Sequence, residues 1–196
     1  MTDRSAPRPG GRSARVQAAV HQAVRELQQE LGRTELTVPA IAVRAGVTPS
    51  TIYRRWGDLA QLLADVAVEK MQPEQPPADT GSFRSDLQTW LVQYFDEMSS
   101  TPGRAMLGDV LGTPGHANAG KCDGFTRQQI EAMRERALAR GEQPLSTNLI
   151  LRAAVAPLMY RVLFANETPT VQEIHELLED LETSQVRDSS GLRNPK

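Results

Sequence analysis

Residues Thr48, Pro49, Ser50, Thr51, Tyr53, Arg54 and Arg55 put three hydroxyl side chains, a phenol and two guanidiniums into one short stretch. Hydroxyls and arginines suit phosphate oxygens, and a planar guanidinium also matches the acceptor pair on the edge of a guanine. Thr48 is a good residue to cap a helix, and Pro49 fits the first helical position, where its missing N–H is not needed. A helix starting there turns Ile52 and Trp56 inward and leaves Ser50, Thr51, Tyr53, Arg54 and Arg55 around its surface. Its N-terminus presents free backbone N–H groups and the positive end of the helix dipole. The chemistry on offer is recognition of an anion.

Other reactive groups are sparse. Cys122 is the only cysteine, so no internal disulfide is possible, and Lys121 beside it would favour a thiolate open to redox chemistry. Taken by itself, though, a single cysteine reads as inert. His21, His116 and His175 are far apart and lack metal-ligand spacing. His116 falls in a glycine-broken segment, where it reads as a solvated loop residue or as a contact to a small molecule. No nucleophile–base motif and no phosphate-cradling glycine loop is present, so an enzyme is not expected and no cofactor or metal is implied.

The elements that must hold the reactive stretch lie just before it. In TVPAIAVRAGVTPSTIYRRW, residues 37–56, Thr37 is placed to cap a short helix and Pro39 sits in its first turn. Ile41, Ala42 and Ala45 form that helix's inner face. Gly46 supplies the left-handed backbone of a tight turn, and Val47 plugs the core behind it. The pattern is a helix-turn-helix, whose second helix enters the major groove of DNA with its N-terminal residues at the base edges. A plain helical hairpin accounts for Ala42, Gly46 and Ile52 equally well. It does not account for a following helix that exposes Tyr53, Arg54 and Arg55.

Charge is divided in the same sense. Residues 1–57 carry nine basic and four acidic side chains, a net of +5, against −7 for the rest, although the whole chain nets only −2. One basic end on an acidic body suits a chain of which one part meets a polyanion.

Helical spacing recurs throughout and strand patterning is nearly absent, so the fold is expected to be all-α. Val16, Val20, Ala23, Leu27 and Leu31 set one face of a first helix over 13–31, which Gly32 stops. A helix over 58–71 follows the reactive stretch, and the proline-rich 73–81 reads as a linker. Residues 82–100 carry a broad apolar face. Glycines break 103–124, which suggests a short helix over 104–111 and then a mobile loop. Further helices are expected over 125–140 and over 146–165, the latter kinked at Pro157. The last helix begins at Thr170, which with Glu173 has the spacing of a capping box. From Ser184 onward the composition is that of a disordered tail. No apolar run approaches the ~20 residues of a membrane span, and the N-terminus lacks the apolar core of a secretory signal. A cytoplasmic location is expected.

Residues 13–66 resemble the DNA-binding domain of the tetracycline-repressor (TetR-like) family. The likeness lies in the long first helix, T-V-x-x-I-A-x-x-A-G-V, then T-P-S-T-I-Y-R-R-W, and an apolar pair at Leu62-Leu63. Arg-Gly-Glu at 140–142 and P-L-M-Y-R-V-L at 157–163 resemble one branch of the family's ligand-binding domains. The resemblance implies about nine helices: a flexible basic arm over 1–12, a three-helix DNA-binding domain over 13–57, a helical effector-binding and dimerisation domain over 58–183 whose first helix, 58–72, connects the two, and the tail over 184–196. It also implies a homodimer built through the helices of 146–183.

By the same resemblance, Thr37 and Arg44 lie near the DNA backbone, and Thr48, Ser50, Thr51, Tyr53 and Arg55 contact phosphates. Pro49, Ser50 and Arg54 sit closest to bases, and the arm with Arg12 and Arg15 reaches a minor groove or the backbone. Two positions depart from the pattern. Many members hold a phosphate with a lysine where this chain has Leu59. Members often carry histidine where Arg55 stands, which here implies stronger phosphate binding. A largely apolar effector is expected against Trp90, Tyr94, Met98, Met106, Phe125, Met133 and Met159, although any one of these also suits a plain core. The function expected is a homodimeric repressor that a small molecule releases from a palindromic operator. The alternatives are an effector-independent regulator or activator and, from another class, a helical enzyme or protein-interaction module.

Overall fold

Val20, Ala23, Val24 and Leu27 line the buried face of the first helix, α1 (Arg12–Leu31), which ends at Gly32 with φ at 82°. This computed structural model describes residues 11–115 and 117–191, with 184–191 as backbone only. Residues 1–10 of the basic arm, His116 and the tail beyond Gly191 lie outside the described residues. Nine helices and no strand occur among the described residues, counting 147–165 as one continuous helix.

The chain divides into two compact units. The first contains α1, α2 (Val38–Ala45), α3 (Pro49–Trp56) and most of α4 (Leu59–Met71), together with residues 109–118. Its core joins Val20, Val24 and Leu27 to Ile41 and Ala42 of α2, Ile52 of α3, and Leu62, Leu63 and Val66 of α4. Those three α4 residues place that helix with the first core, where the sequence had put it at the head of the second domain. A two-turn helix such as α3 has little stability alone. Complete burial of Ile52 contributes ~2–3 kcal/mol toward holding it. Arg33, in the 3₁₀ turn after α1, clasps Asp109 of the 109–118 segment.

The second unit takes residues 71–108 and those from 119 on. Its helices are α5 (Phe83–Ser99), most of α6 (Thr101–Leu111) and of α7 (Ala117–Ala139), α8 (Thr147–Ala165) and α9 (Val171–Gly191). Leu87, Leu91 and Phe95 of α5, Ile130 and Met133 of α7, Ile150 and Leu158 of α8, and Ile174 and Leu178 of α9 form one core. The expected capping box is present: Thr170 N–H donates to Glu173 Oε2 at 2.8 Å, and Glu173 N–H to Thr170 Oγ1 at 3.2 Å.

Three expectations need correction here. The glycine-broken 103–124 is largely helical, because α6 begins at Thr101 and α7 at Ala117, enclosing Gly103, Gly108, Gly120 and Gly124. Glycine lowers helix propensity by only ~1 kcal/mol, which packing overrides. At Gly103 the substitution-free backbone is needed, since a Cβ would overlap the carbonyl oxygen of Glu97. The linker over 73–81 is non-helical as read, and it is strapped down: Arg136 donates to the carbonyls of Pro77 and Ala78, both at 2.7 Å, and Thr80 N–H donates to the buried Asp86 at 2.6 Å. The last helix continues to Gly191, past the tail boundary read at Ser184, since no proline or glycine interrupts it before that point.

Helix α8 supplies the third. By length and composition alone it is apolar enough to cross a membrane, contrary to the expectation that no run came close. Arg152 and Arg161 interrupt it, and one face joins the core through Ile150, Ala154, Val155, Leu158 and Val162. π-Turns occur over Leu151–Val155, just before Pro157, and over Arg161–Ala165. A wider turn relieves the clash between the Pro157 ring and the carbonyl one turn back.

Candidate nucleic-acid interface

The reactive stretch sits on a rigid turn. Thr37 Oγ1 accepts a hydrogen bond from Ala40 N–H at 3.3 Å and so caps α2 as the sequence predicted. Gly46 adopts the left-handed conformation (φ 66°, ψ 33°), and Val47 N–H donates back to Ala42 O at 3.0 Å. Val47 packs half-buried on the core. α3 then leaves the turn with Ile52 inside and Trp56 half-buried, its indole N–H donating to Asp65 at 3.0 Å.

Thr48 occupies the cap position of α3, yet its hydroxyl bonds to no backbone N–H of that helix. It lies between the hydroxyls of Ser50 at 2.9 Å and Thr51 at 3.0 Å. This corrects the capping role read for it. The consequence is chemical: Pro49 has no N–H and Thr51 N–H donates to Thr48 O at 2.9 Å, so Ser50 N–H keeps the capacity to meet an external acceptor, at the positive end of the dipole. Pro49, Ser50, Tyr53, Arg54 and Arg55 are exposed and Thr51 is half-buried.

The five arginines near this surface differ in what holds them. Arg54 has no hydrogen bond or ion pair among the described residues, and the guanidiniums of Arg12 and Arg15 have none either. Arg44 is bound to α1. Its two terminal nitrogens reach both oxygens of Glu30 at 2.8 and 2.7 Å, and one also reaches Glu26 at 3.3 Å. The Arg44 guanidinium holds the Glu30 carboxyl below its ordinary range. Arg44, expected beside the DNA backbone, is paired with Glu30 and Glu26 inside this unit. Arg55 is bound to α1 as well, through Ser13 and Gln17. Leu59, at the position where the resemblance implied a phosphate-holding lysine, packs half-buried against the core and offers no cation.

An open groove of about 830 Å³ runs between the first turn of α1 and α3, lined in part by Arg12, Thr48, Thr51, Arg54 and Arg55. Residues picked from the sequence on two separate helices therefore meet at one place.

One cluster had no sequence signal. His21 is fully buried, with Nε2 3.1 Å from Asp65 and Nδ1 hydrogen-bonded to Glu69. Two carboxylates can both be satisfied only by a doubly protonated ring. Burial opposes that charge, but the bonds to Asp65 and Glu69 outweigh it and raise the His21 pKa above 6.5. These partners stand more than forty positions away, at no helical spacing from His21, so only folding brings them together.

In the second unit, Trp90, Met98 and Met133 are buried in one core, with Tyr94 and Met159 packed against it. The rings of Trp90 and Tyr94 stack at 5.0 Å. Met106 is buried and Phe125 half-buried outside that cluster. A surface hollow of about 440 Å³ in this unit lies elsewhere, against Leu177, Asp180 and Leu181 of α9. The thiolate reading of Cys122 is corrected: burial pushes its thiol pKa up despite Lys121, and the thiol lies 3.9 Å from the Met71 sulfur. Among the described residues no histidine, cysteine and carboxylate group is arranged to hold a metal ion.

Residues 21–66 match the family described as bacterial regulatory proteins of the tetR family, and residues 77–181 match the tetracyclin repressor-like C-terminal domain. An HTH-type transcriptional regulator of Mycobacterium tuberculosis, Rv1556, is 27% identical over 179 residues, which covers 84% of this chain and 85% of that protein. The regulator AqdR of Rhodococcus erythropolis is 33% identical over 110 residues, covering 55% and 53%. A TetR transcriptional regulator from Rhodococcus sp. RHA1 shares the fold, with a TM-score of 0.60 at 17% identity over 87% of this chain and 97% of that one. These matches fit the all-α helix-turn-helix class and point to a transcription factor rather than an enzyme.

Proposed function

The chain belongs to the TetR family of bacterial transcriptional regulators, and from that premise we propose that it is a homodimeric repressor released from a palindromic operator by a largely apolar small molecule. The observation that carries the DNA side is α3, with its uncapped N-terminus, the exposed Tyr53 and an unpartnered Arg54 beside Arg12. Arg54, Pro49 and Ser50 read bases; Thr48, Thr51, Tyr53 and the backbone N–H of Ser50 seat phosphates, with Thr37, Arg12 and Arg15 at the margins.

Dimerisation is supported by α8. Tyr160 is 63% exposed and Phe164 73%, their rings lie 5.0 Å apart, and Leu163 and Val171 are also exposed. Exposed apolar side chains of this kind are what a second copy buries. Two-fold symmetry then requires two related half-sites on the DNA. The effector binds the second unit, where Trp90, Tyr94, Met98, Met133 and Met159 gather, with Met106 and Phe125 nearby; it favours the conformation that does not bind DNA and so shifts the population. The protein acts in the cytoplasm, with its DNA.

The test starts from duplexes that the full-length protein selects from a random-sequence pool. A two-fold symmetric consensus is expected. Arg54→Ala relaxes preference at one position of each half-site, whereas Thr51→Ala weakens all sequences alike. If both variants bind the selected duplex as tightly as the parent, α3 is not the recognition helix. Screening compounds for release from the selected duplex separates a ligand-responsive regulator from one that never lets go.

A further inference from the structure

Arg55 is the recognition-helix residue whose substitution, arginine in place of the histidine that relatives often carry, implied an added phosphate ligand. Its geometry says otherwise. One terminal nitrogen donates to both the carbonyl oxygen and the hydroxyl of Ser13, each at 2.9 Å, and the other donates to Gln17 Oε1 at 2.6 Å. The guanidinium carbon lies 5.2 Å from the centre of the Trp56 ring. Gln17 in turn contacts Asp65 at 3.4 Å, the same carboxylate oxygen that holds the Trp56 indole. The fork is thus occupied on both prongs and seated on an aromatic ring, a geometry that a lysine ammonium does not reproduce. Its partners are on the first turns of α1, next to Arg12, where Gly11 provides no side-chain cap.

We infer that Arg55 is a positioning residue: it braces the N-terminal turns of α1 against α3 and so holds Arg12 at the rim of the shared groove, where Arg12 takes a DNA phosphate. Arg12 lines that groove and its guanidinium has no partner among the described residues. Without the brace, an uncapped helix start frays, and the cation it carries loses its place beside α3. The inference rests on the DNA-binding reading of α3.

The test is a salt series of fluorescence-anisotropy titrations with the full-length protein and a labelled duplex that it has selected from a random pool. Each phosphate contact contributes about 0.9 to the slope of log affinity against log salt. Arg12→Ala is expected to flatten the slope by about 0.9. Arg55→Ala and Arg55→Lys should flatten it equally, and the double variant Arg12→Ala/Arg55→Ala should fall no further than either. Gln17→Ala, which removes no charge, should flatten it too, and it carries the test alone should Arg55→Ala fail to fold. The inference is overturned if Arg55→Lys keeps the parent slope, if the double variant loses about 1.8, or if Gln17→Ala leaves the slope unchanged; the first two outcomes make Arg55 a phosphate ligand in its own right. Failure of the wild-type protein to select any duplex would instead refute the DNA-binding reading itself.

Discussion

Arg44 of α2 and Glu30 of α1 are joined by two parallel hydrogen bonds, Nη1 to Oε1 at 2.8 Å and Nη2 to Oε2 at 2.7 Å. A guanidinium held on both prongs by a carboxylate has little left to offer a phosphate. We expect Arg44→Ala to lower the melting temperature slightly and to leave the salt dependence of DNA binding unchanged. A slope reduced by about 0.9 would show that Arg44 exchanges Glu30 for the DNA backbone.

His21 makes the stability of the first unit depend on pH. Its pKa is raised in the folded protein, since the bonds to Asp65 and Glu69 outweigh the cost of burial, and Arg25 stands 3.8 Å from Glu69 on the far side. A raised value means that the stabilisation is fully present below the unfolded pKa, about 6.5, and is lost as pH rises through the folded value. Melting temperatures of wild type and His21→Gln, compared across pH, should differ most in mild acid and converge in alkali. A gap that widens with pH would mean the ring is neutral when buried.

Tyr160 and Phe164 predict the oligomer. In sedimentation velocity the wild type should run at twice the chain mass of 21.5 kDa, and Tyr160→Glu/Phe164→Glu should run as a folded monomer. DNA affinity should fall with it, because one half-site contact replaces two. A wild type that stays monomeric at micromolar concentration removes the dimer from the proposal.

Gly103 is the position where a single methyl group should matter. Its backbone φ is ordinary, so alanine would normally favour the helix by ~1 kcal/mol. A Cβ there, however, overlaps the Glu97 carbonyl oxygen and comes within 2.9 Å of its carbon. Gly103→Ala should therefore destabilise by about 2 kcal/mol in urea denaturation. A stabilised variant would mean that the start of α6 shifts freely away from the end of α5.

The local rules were strong where neighbours in sequence are neighbours in space. Pro39 and Pro49 at helix starts, Gly46 in the left-handed turn, Ile41, Ala42 and Ile52 facing inward, and Thr170 with Glu173 at the head of α9 were all legible. Each is decided within one turn of backbone by steric freedom, a missing N–H or helical periodicity. Glycine frequency misled over 103–124, since the cost of a glycine in a helix is small beside the packing of α6 and α7.

What only the tertiary structure decided is which charges are available. Residue type alone made Arg44, Arg54 and Arg55 equivalent cations on a basic segment. Folding places Glu26 and Glu30 against the first, Ser13 and Gln17 against the last, and leaves Arg54 exposed without a partner among the described residues. The same holds for His21, whose two carboxylates arrive from another helix. Electrostatic interaction depends on distance through space, which the order of residues along a chain does not encode. The sequence by itself determined that this protein carries a DNA-reading helix; the packing of α1 against α2 and α3 determined which of its arginines are free to read.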